Sequence, residues 1–305
     1  MKPQDFLTIR DFDRDELCSI LNLASDVKLH PERYVNALRG KGLAMIFEKP
    51  SLRTRVSFDV GIHQLGGFSV CLLPQEISLG KRESVHDVAK NLERMVNGIM
   101  IRTFSHAIAE EIARASSVPV INGLTDLFHP CQAMADIFTM RETRGKLMGL
   151  KLCFIGDGNN VAHSLLLAGA KLGINVTIVC PVGYEPNASV LRTAKEEGKR
   201  SKARIEVSND PLEGVLGADV IYTDVWASMG QESQAAVRRT VFQPYQVNSS
   251  LMRHAGKGAV FMHCLPAHRG EEVTDDVIDS TASVVFQQSE NRLHVQKAIM
   301  VELMR

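Results

Sequence analysis

Two guanidinium groups and two hydroxyl groups lie together in the segment Ser51-Leu52-Arg53-Thr54-Arg55. The apolar run at residues 43–47 predicts a buried strand before it, and the segment itself predicts the start of a helix. The free amides of a helix N-terminus bind oxyanions, and arginine binds them through paired hydrogen bonds. The segment therefore predicts an anion site at the carboxyl end of a strand, where parallel sheets bind their ligands.

Two further polar positions follow predicted strands in the same half of the chain. Arg102 ends the apolar run at 99–101, and His129 opens a later helix that also carries Gln132. An isolated arginine or histidine in such a place is more often structural than catalytic. Because the carboxyl ends of parallel strands meet at one sheet edge, three such positions together favour a functional site.

The elements that must position these residues alternate along the whole chain. Asp13 and Glu16 predict a capping box at the start of the first helix. Ten short apolar runs alternate with helix-length segments, which is typical of βα units around parallel sheets. The predicted strands are residues 43–47, 68–73, 99–101, 118–121, 152–155, 176–179, 205–207, 220–222, 260–262 and 284–286.

The pattern restarts after a glycine-flanked segment at 145–149, so we expect two domains. The predicted fold is α/β, with two doubly wound parallel-sheet domains and the active site in the cleft between them. The predicted domains are residues 1–145 and 146–287, and residues 288–305 form a C-terminal helix that packs back on the first domain.

Composition excludes several classes of protein. Lys+Arg and Asp+Glu both number 35, so the net charge is +0, which argues against a basic nucleic-acid-binding protein. The longest apolar runs fall far short of the roughly 18 residues of a membrane helix. The six cysteines include no Cys-x-x-Cys pair, which indicates reduced thiols rather than disulfides or a zinc site. With no signal peptide predicted, we expect a cytoplasmic protein.

Several motifs together resemble one enzyme family. Ser-x-Arg-Thr-Arg at 51–55, Ile-Arg-Thr at 101–103 and His-Pro-Cys-Gln at 129–132 resemble the carbamoyl-phosphate half of the aspartate/ornithine carbamoyltransferase family. Gly-Asp-Gly-Asn-Asn at 156–160, Asp-Val-Trp-Ala-Ser-Met-Gly at 224–230 and His-Cys-Leu-Pro at 263–266 resemble its ornithine branch. The match runs in order from about residue 5 to residue 305.

The resemblance implies transfer of a carbamoyl group from carbamoyl phosphate to the δ-amine of L-ornithine, which gives L-citrulline and phosphate in arginine metabolism. The same residues catalyse both directions, so biosynthesis and breakdown of arginine both stay open. It implies no cofactor, no metal, and a homotrimer or a multiple of trimers. The catalytic residues that it implies are Arg102, His129, Asp224 and Cys264. Those implied for carbamoyl phosphate are Ser51, Leu52, Arg53, Thr54, Ser78, Arg102, His129, Gln132, Leu265 and Arg292. Those implied for ornithine are Asn160, Asp224, Ser228, Met229 and Cys264.

Two positions depart from the family pattern. Leu52 stands where the family usually has threonine, and Ser78 where it usually has a glutamine or histidine that reaches the phosphate of a neighbouring subunit. Serine is too short for the same direct contact, so Ser78 would reach the phosphate only through a bridging water.

Parts of the sequence are compatible with three other functions. A dinucleotide-dependent dehydrogenase is disfavoured, because Val161 replaces the third glycine of the fingerprint and the next strand ends in Cys180-Pro181 without an acidic residue. A carbamoyltransferase for another amine, such as putrescine, and a non-catalytic family member both stay open.

Overall fold

The computed structural model describes residues 5–77, 79–80, 82–227, 230 and 232–305. The chain divides into two compact units. The first unit runs up to Phe138 and includes Glu290–Arg305, and the second unit is Thr139–Ser289.

The first unit contains a four-stranded parallel sheet. Its strands are β1 Gly42–Phe47, β2 Phe68–Leu72, β3 Gly98–Arg102 and β4 Val120–Leu124. They lie in the order β2-β1-β3-β4, so the chain moves outward from β1 to β2 and then crosses back to β3. The strand order therefore reverses between β1 and β3, where an open parallel sheet leaves a crevice for a ligand.

Helices alternate with these strands along the chain as far as Arg144. They are α1 Arg14–Leu29, α2 Leu52–Gln64, α3 Pro74–Ile77, α4 Val85–Leu92, α5 His106–Ala115 and α6 Pro130–Arg144. The predicted capping box is confirmed: Asp13 accepts from the Glu16 amide, and the Glu16 side chain accepts from the Asp13 amide. Ile46, Ile99, Ile101 and Val120 are fully buried in the core of the unit.

The second unit contains a five-stranded parallel sheet. Its strands are β5 Lys151–Ile155, β6 Asn175–Val179, β7 Ile205–Ser208, β8 Val220–Thr223 and β9 Val260–His263. They lie in the order β7-β6-β5-β8-β9, so the reversal falls between β5 and β8. The remaining helices are α7 Asn160–Leu172, α8 Ala188–Ser201, α9 Pro211–Val215, α10 Ala235–Phe242, α11 Ser249–Met252, α12 Asp275–Ile278 and α13 Val285–Met304.

The two parallel α/β sheets are confirmed, and nine of the ten predicted strands are present. The predicted strand at 284–286 is wrong. The chain makes one parallel bridge between Ser283 and Phe261 and then enters α13 at Val285. A short apolar run does not distinguish a strand from the start of a helix. The Phe286 side chain is 73% exposed, so this run does not form a buried strand.

Within the described residues, no helix combines the length and the apolar character that crossing a membrane requires.

Candidate active site

The first predicted anion site lies at the start of α2, directly after β1. Ser51 is the N-cap residue of this helix, and its hydroxyl accepts a 3.3 Å hydrogen bond from the Thr54 amide. Thr54 is fully buried and Arg53 is half-buried, whereas the Leu52 side chain is 74% exposed. The helix N-terminus contributes a partial positive charge at this point.

Buried polar groups converge on Thr54. Nη1 of Arg102, from the end of β3, lies 3.4 Å from Oγ1 of Thr54, and Nη2 of Arg292 donates to the same oxygen at 2.9 Å. Nη1 of Arg292 also donates to Oε1 of Gln132 at 2.9 Å. The Gln132 amide in turn donates to Asp136 at 2.8 Å. Elements distant in sequence therefore meet at the crevice between β1 and β3.

His129 lies in the same electropositive region and is 4% exposed. Burial is the largest cause that lowers the pKa of His129 well below its ordinary value. Nearby guanidinium charges lower this pKa further, and they belong to Arg292, Arg102 and Arg53. The imidazole is therefore neutral at neutral pH, and three guanidinium charges lie near it.

The second unit brings together Asp224, which follows β8, and Cys264, which follows β9. Thr223 and His263 are partners in the register of these strands, so the next residue of each strand lies at the same sheet edge. The Cys264 thiol donates to Oδ1 of Asp224 at 3.0 Å. Asp224 is 8% exposed, and Asn160 begins α7 after the neighbouring strand β5.

The loop between β5 and α7 needs glycine at one position. A Cβ atom on Gly158 would lie 2.3 Å from the Pro186 nitrogen and 2.5 Å from the Glu185 carbonyl carbon. The loop is therefore pressed against the chain at 184–186, and this contact holds the residues that follow Gly158.

The backbone after β9 is fixed by a buried histidine and glutamate. Leu265 has a φ of 56°, and its amide donates to Nδ1 of His263 at 2.9 Å. Because Nδ1 accepts this bond, the ring proton is on Nε2, which lies 3.0 Å from Oε1 of Glu272. His263 and Glu272 are both 0% exposed. Sequence reasoning gave neither residue a role of its own.

Sequence reasoning also missed Arg238, which is 6% exposed. Its Nη1 donates to Asp157 at 2.9 Å and to the Trp226 carbonyl oxygen at 2.8 Å. Burial raises the pKa of Asp157, and the Arg238 charge partly opposes this shift. Arg238 lies in a polar segment without a motif, so no signal in the sequence identified it.

Groups that could hold a metal ion are present in the second unit. Within the described residues, ligand atoms of Asp224, His263 and Cys264 lie within 4.8 Å of one another. Both ring nitrogens of His263 are already used by Leu265 and Glu272, so this set is organised as a hydrogen-bond network. A second group of the same kind consists of His268, Glu271 and Glu272.

The structure thus assembles most of the predicted residues into two sets. The first unit holds Ser51, Leu52, Arg53, Thr54, Arg102, His129, Gln132 and Arg292. The second unit holds Asn160, Asp224, Cys264 and Leu265. The exposed Leu52 side chain does not join the others, and only its backbone lies in the helix terminus. Ser78, Ser228 and Met229 lie outside the described residues.

Comparison with known proteins gives two family matches. Residues 4–142 match the carbamoyl-P binding domain of aspartate/ornithine carbamoyltransferases, and residues 148–303 match their Asp/Orn binding domain. An ornithine carbamoyltransferase from Thermococcus kodakarensis is 54% identical over 99% of this chain and 96% of its own length.

A relative named anabolic ornithine carbamoyltransferase, from Pyrococcus furiosus, is 50% identical over 99% of this chain and 96% of its own length. A solved structure of ornithine carbamoyltransferase from the same organism superposes with a TM-score of 0.96 at 50% identity. That match covers 98% of this chain and 96% of the solved chain.

Proposed function

Because the chain belongs to the aspartate/ornithine carbamoyltransferase family, we propose that it transfers the carbamoyl group of carbamoyl phosphate to the δ-amine of L-ornithine. The products are L-citrulline and phosphate. The observation that carries the choice of amine is the buried Asp224 carboxylate at the end of β8. A carboxylate there attracts an ammonium group and repels the second carboxylate of aspartate.

The first unit binds carbamoyl phosphate. Ser51, Arg53 and the amides at the start of α2, including that of Leu52, hold the phosphate. Support comes from the N-cap geometry at Ser51 and from the cations that lower the pKa of His129. Gln132 receives the carbamoyl NH₂ group, and Arg292 keeps Gln132 and Thr54 in place. The family pattern assigns the Leu265 carbonyl oxygen to carbamoyl phosphate as well.

The same residues stabilise the transition state. The neutral amine attacks the carbamoyl carbon, a C–N bond forms, and the carbonyl oxygen becomes an oxyanion. Arg102, Thr54 and His129 donate hydrogen bonds to that oxygen, and loss of one such donor typically costs about 10²–10³ in rate. The C–O bond to phosphate then breaks, the phosphate leaves with the electron pair, and the proton that the amine loses passes to the departing phosphate.

The second unit binds the amino acid. Asp224 receives the α-ammonium group and Asn160 the α-carboxylate, while Cys264 lies beside the attacking amine. Support comes from the sheet edge that these two residues share, where Sγ of Cys264 lies 3.0 Å from Oδ1 of Asp224. The family pattern assigns Ser228 and Met229 to the amino acid as well, and Ser78 to the phosphate.

We further propose a homotrimer or a multiple of trimers. Support comes from an apolar surface on the first unit, where α2 exposes Leu52, Val56 and Val60. The neighbouring edge strand β2 exposes Phe68 and Val70. Exposed apolar patches of this kind are typical of protein interfaces. The cytoplasmic location is part of this proposal, as is a place in arginine biosynthesis, which agrees with the anabolic relative.

The test is kcat/KM at saturating carbamoyl phosphate for ornithine, lysine, putrescine and aspartate. The kcat/KM for ornithine should exceed that for putrescine by about 10⁴-fold. Putrescine lacks the α-carboxylate of an amino acid, so the protein groups that bind it are left unpaired. Lysine has the same α-ammonium and α-carboxylate groups, but its longer side chain misplaces the reacting amine. We expect this to lower kcat/KM about 10²-fold relative to ornithine. Equal rates with putrescine would favour a diamine carbamoyltransferase, and no turnover with any of the four amines would favour a non-catalytic family member.

A further inference from the structure

We propose that Asn159 is a positioning residue that orients the Asp224 carboxylate for the ammonium group of the amino-acid substrate. The assignment rests on the proposed function, and it concerns a residue outside the predicted site. Asn159 joins two roles in one side chain: its oxygen caps helix α7, and its amide nitrogen holds the carboxylate.

The first step is the orientation of the Asn159 amide group. Oδ1 accepts hydrogen bonds from the backbone amides of Val161 at 3.0 Å and Ala162 at 3.2 Å. Nδ2 donates to Oδ2 of Asp224 at 2.9 Å. The opposite orientation would place NH₂ against two N–H donors and oxygen against a carboxylate, so both ends select the same orientation.

The second step is the effect on Asp224. Oδ1 of this carboxylate accepts from the Val225 amide at 2.8 Å and from the Cys264 thiol at 3.0 Å. With Asn159 on Oδ2, both oxygens are held, and rotation of the carboxylate would break bonds at each end. A charged group held in this way binds its partner without first losing conformational freedom.

The third step separates this role from capping alone. Asn187 caps α8 in the same manner, since its Oδ1 accepts from the amides of Ser189 at 2.9 Å and Val190 at 3.5 Å. Asn187 is exposed, and within the described residues its Nδ2 has no hydrogen bond to a carboxylate. A cap needs only an acceptor oxygen, which aspartate and serine supply about as well as asparagine. The amide nitrogen of Asn159 is therefore the part that capping does not explain.

The test compares Asn159→Asp, Asn159→Ser and the matched control Asn187→Asp. Each replacement keeps a capping oxygen, and the two Asn159 variants lose the donor to Asp224. Asn159→Asp also places a second carboxylate against Asp224. The measurements are the melting temperature, kcat and KM for the amine and for carbamoyl phosphate, and the pH profile of kcat/KM for the amine.

We expect kcat/KM for ornithine to fall about 10²-fold in Asn159→Asp, with KM for carbamoyl phosphate unchanged. The acid limb of its pH profile should move to higher pH, because a second negative charge beside the amino-acid site favours the protonated, unreactive form of the amine. Asn159→Ser should lose at least about 10-fold in kcat/KM at a melting temperature near that of the wild type. Asn187→Asp should retain wild-type kinetics.

Wild-type kinetics in either folded Asn159 variant would overturn the proposal and leave Asn159 as a cap alone. If Asn159→Asp does not fold, Asn159→Ser decides in the same way. The proposed function fails separately, when the wild-type enzyme does not turn over ornithine. The variants are then compared with the amine that the wild type uses, and the ratio of variant to wild type still tests Asn159.

Discussion

Arg292 and Thr54 are 238 positions apart in the chain, yet Nη2 of Arg292 donates a 2.9 Å hydrogen bond to Oγ1 of Thr54. The other end of the guanidinium group donates to Gln132 at 2.9 Å. Arg292 is 3% exposed, and Thr54 and Gln132 are at most 1% exposed. One planar cation therefore fixes a hydroxyl group at the start of α2 and an amide group at the start of α6.

Replacing Arg292 should weaken carbamoyl phosphate binding through both partners. A hydrogen bond to a charged group is worth about 1.5–3 kcal/mol, so Arg292→Ala should raise the dissociation constant about 10–100-fold. Arg292→Lys keeps the charge, but a single ammonium group cannot donate to both acceptors in the geometry of a guanidinium group. We therefore expect an intermediate loss of affinity. Isothermal titration with carbamoyl phosphate measures the change, and identical affinities for all three proteins would contradict this role of Arg292.

Arg53→Ala should affect carbamoyl phosphate and leave the fold intact. Arg53 is half-buried at the start of α2 and close enough to His129 to lower its pKa. Loss of its contact to a phosphate should raise the dissociation constant by about 10–100-fold. The matched control is Arg55→Ala, which removes an exposed arginine from the same helix and should leave affinity within about threefold of the wild type. Equal effects of the two replacements would argue against a specific anion contact at Arg53.

Cys264 should assist the amine without forming a covalent intermediate. Its thiol donates to Asp224 and is not arranged as a free thiolate nucleophile. A serine hydroxyl can make the same donation, so Cys264→Ser should retain turnover within about 10²-fold of the wild type. Mass spectrometry of the intact protein after incubation with carbamoyl phosphate alone should detect no carbamoyl adduct. An adduct present in the wild type and in Cys18→Ser but missing in Cys264→Ser would instead establish covalent catalysis.

Acidification should destabilise the protein through buried histidines. Burial is the largest cause that lowers the pKa of His129, of His106 and of His294. Below the ordinary pKa of about 6.5, the unfolded chain therefore binds more protons than the folded chain, and the free energy of unfolding falls as pH falls. Each such histidine contributes at most about 1.4 kcal/mol per pH unit.

Urea unfolding between pH 7.5 and pH 5.5 measures this slope. His129→Gln should make the decline of the unfolding free energy shallower, because one buried titrating group is gone. His86→Gln is the control, since the His86 side chain is 60% exposed and therefore not buried as His129 is. A slope that is the same in His129→Gln and in the wild type would show that His129 does not contribute.

Local signals in the sequence were sufficient for most elements and for the kinds of residue in the site. The capping box of Asp13 and Glu16 and the apolar periodicity of the strands depend on neighbours within a few positions, so they can be read without the fold. The strand-end positions of Arg102 and Asp224 follow from the same reading. The predicted strand at 284–286 is wrong, because a short apolar run is compatible with a strand and with the start of a helix.

Tertiary structure alone decided which side chains hold the site residues in place. Arg238 lies 81 positions from Asp157, and Asn159 lies 65 positions from Asp224. Neither pair leaves a periodic pattern, because each contact depends on how distant parts of the chain fold together. The sequence by itself determined which residues follow the end of each strand, because a strand and the polar residues after it are recognised from neighbouring positions in the chain. The order of the strands then determined their partners, because a hydrogen bond between distant residues forms only where the sheet brings their atoms within about 3 Å.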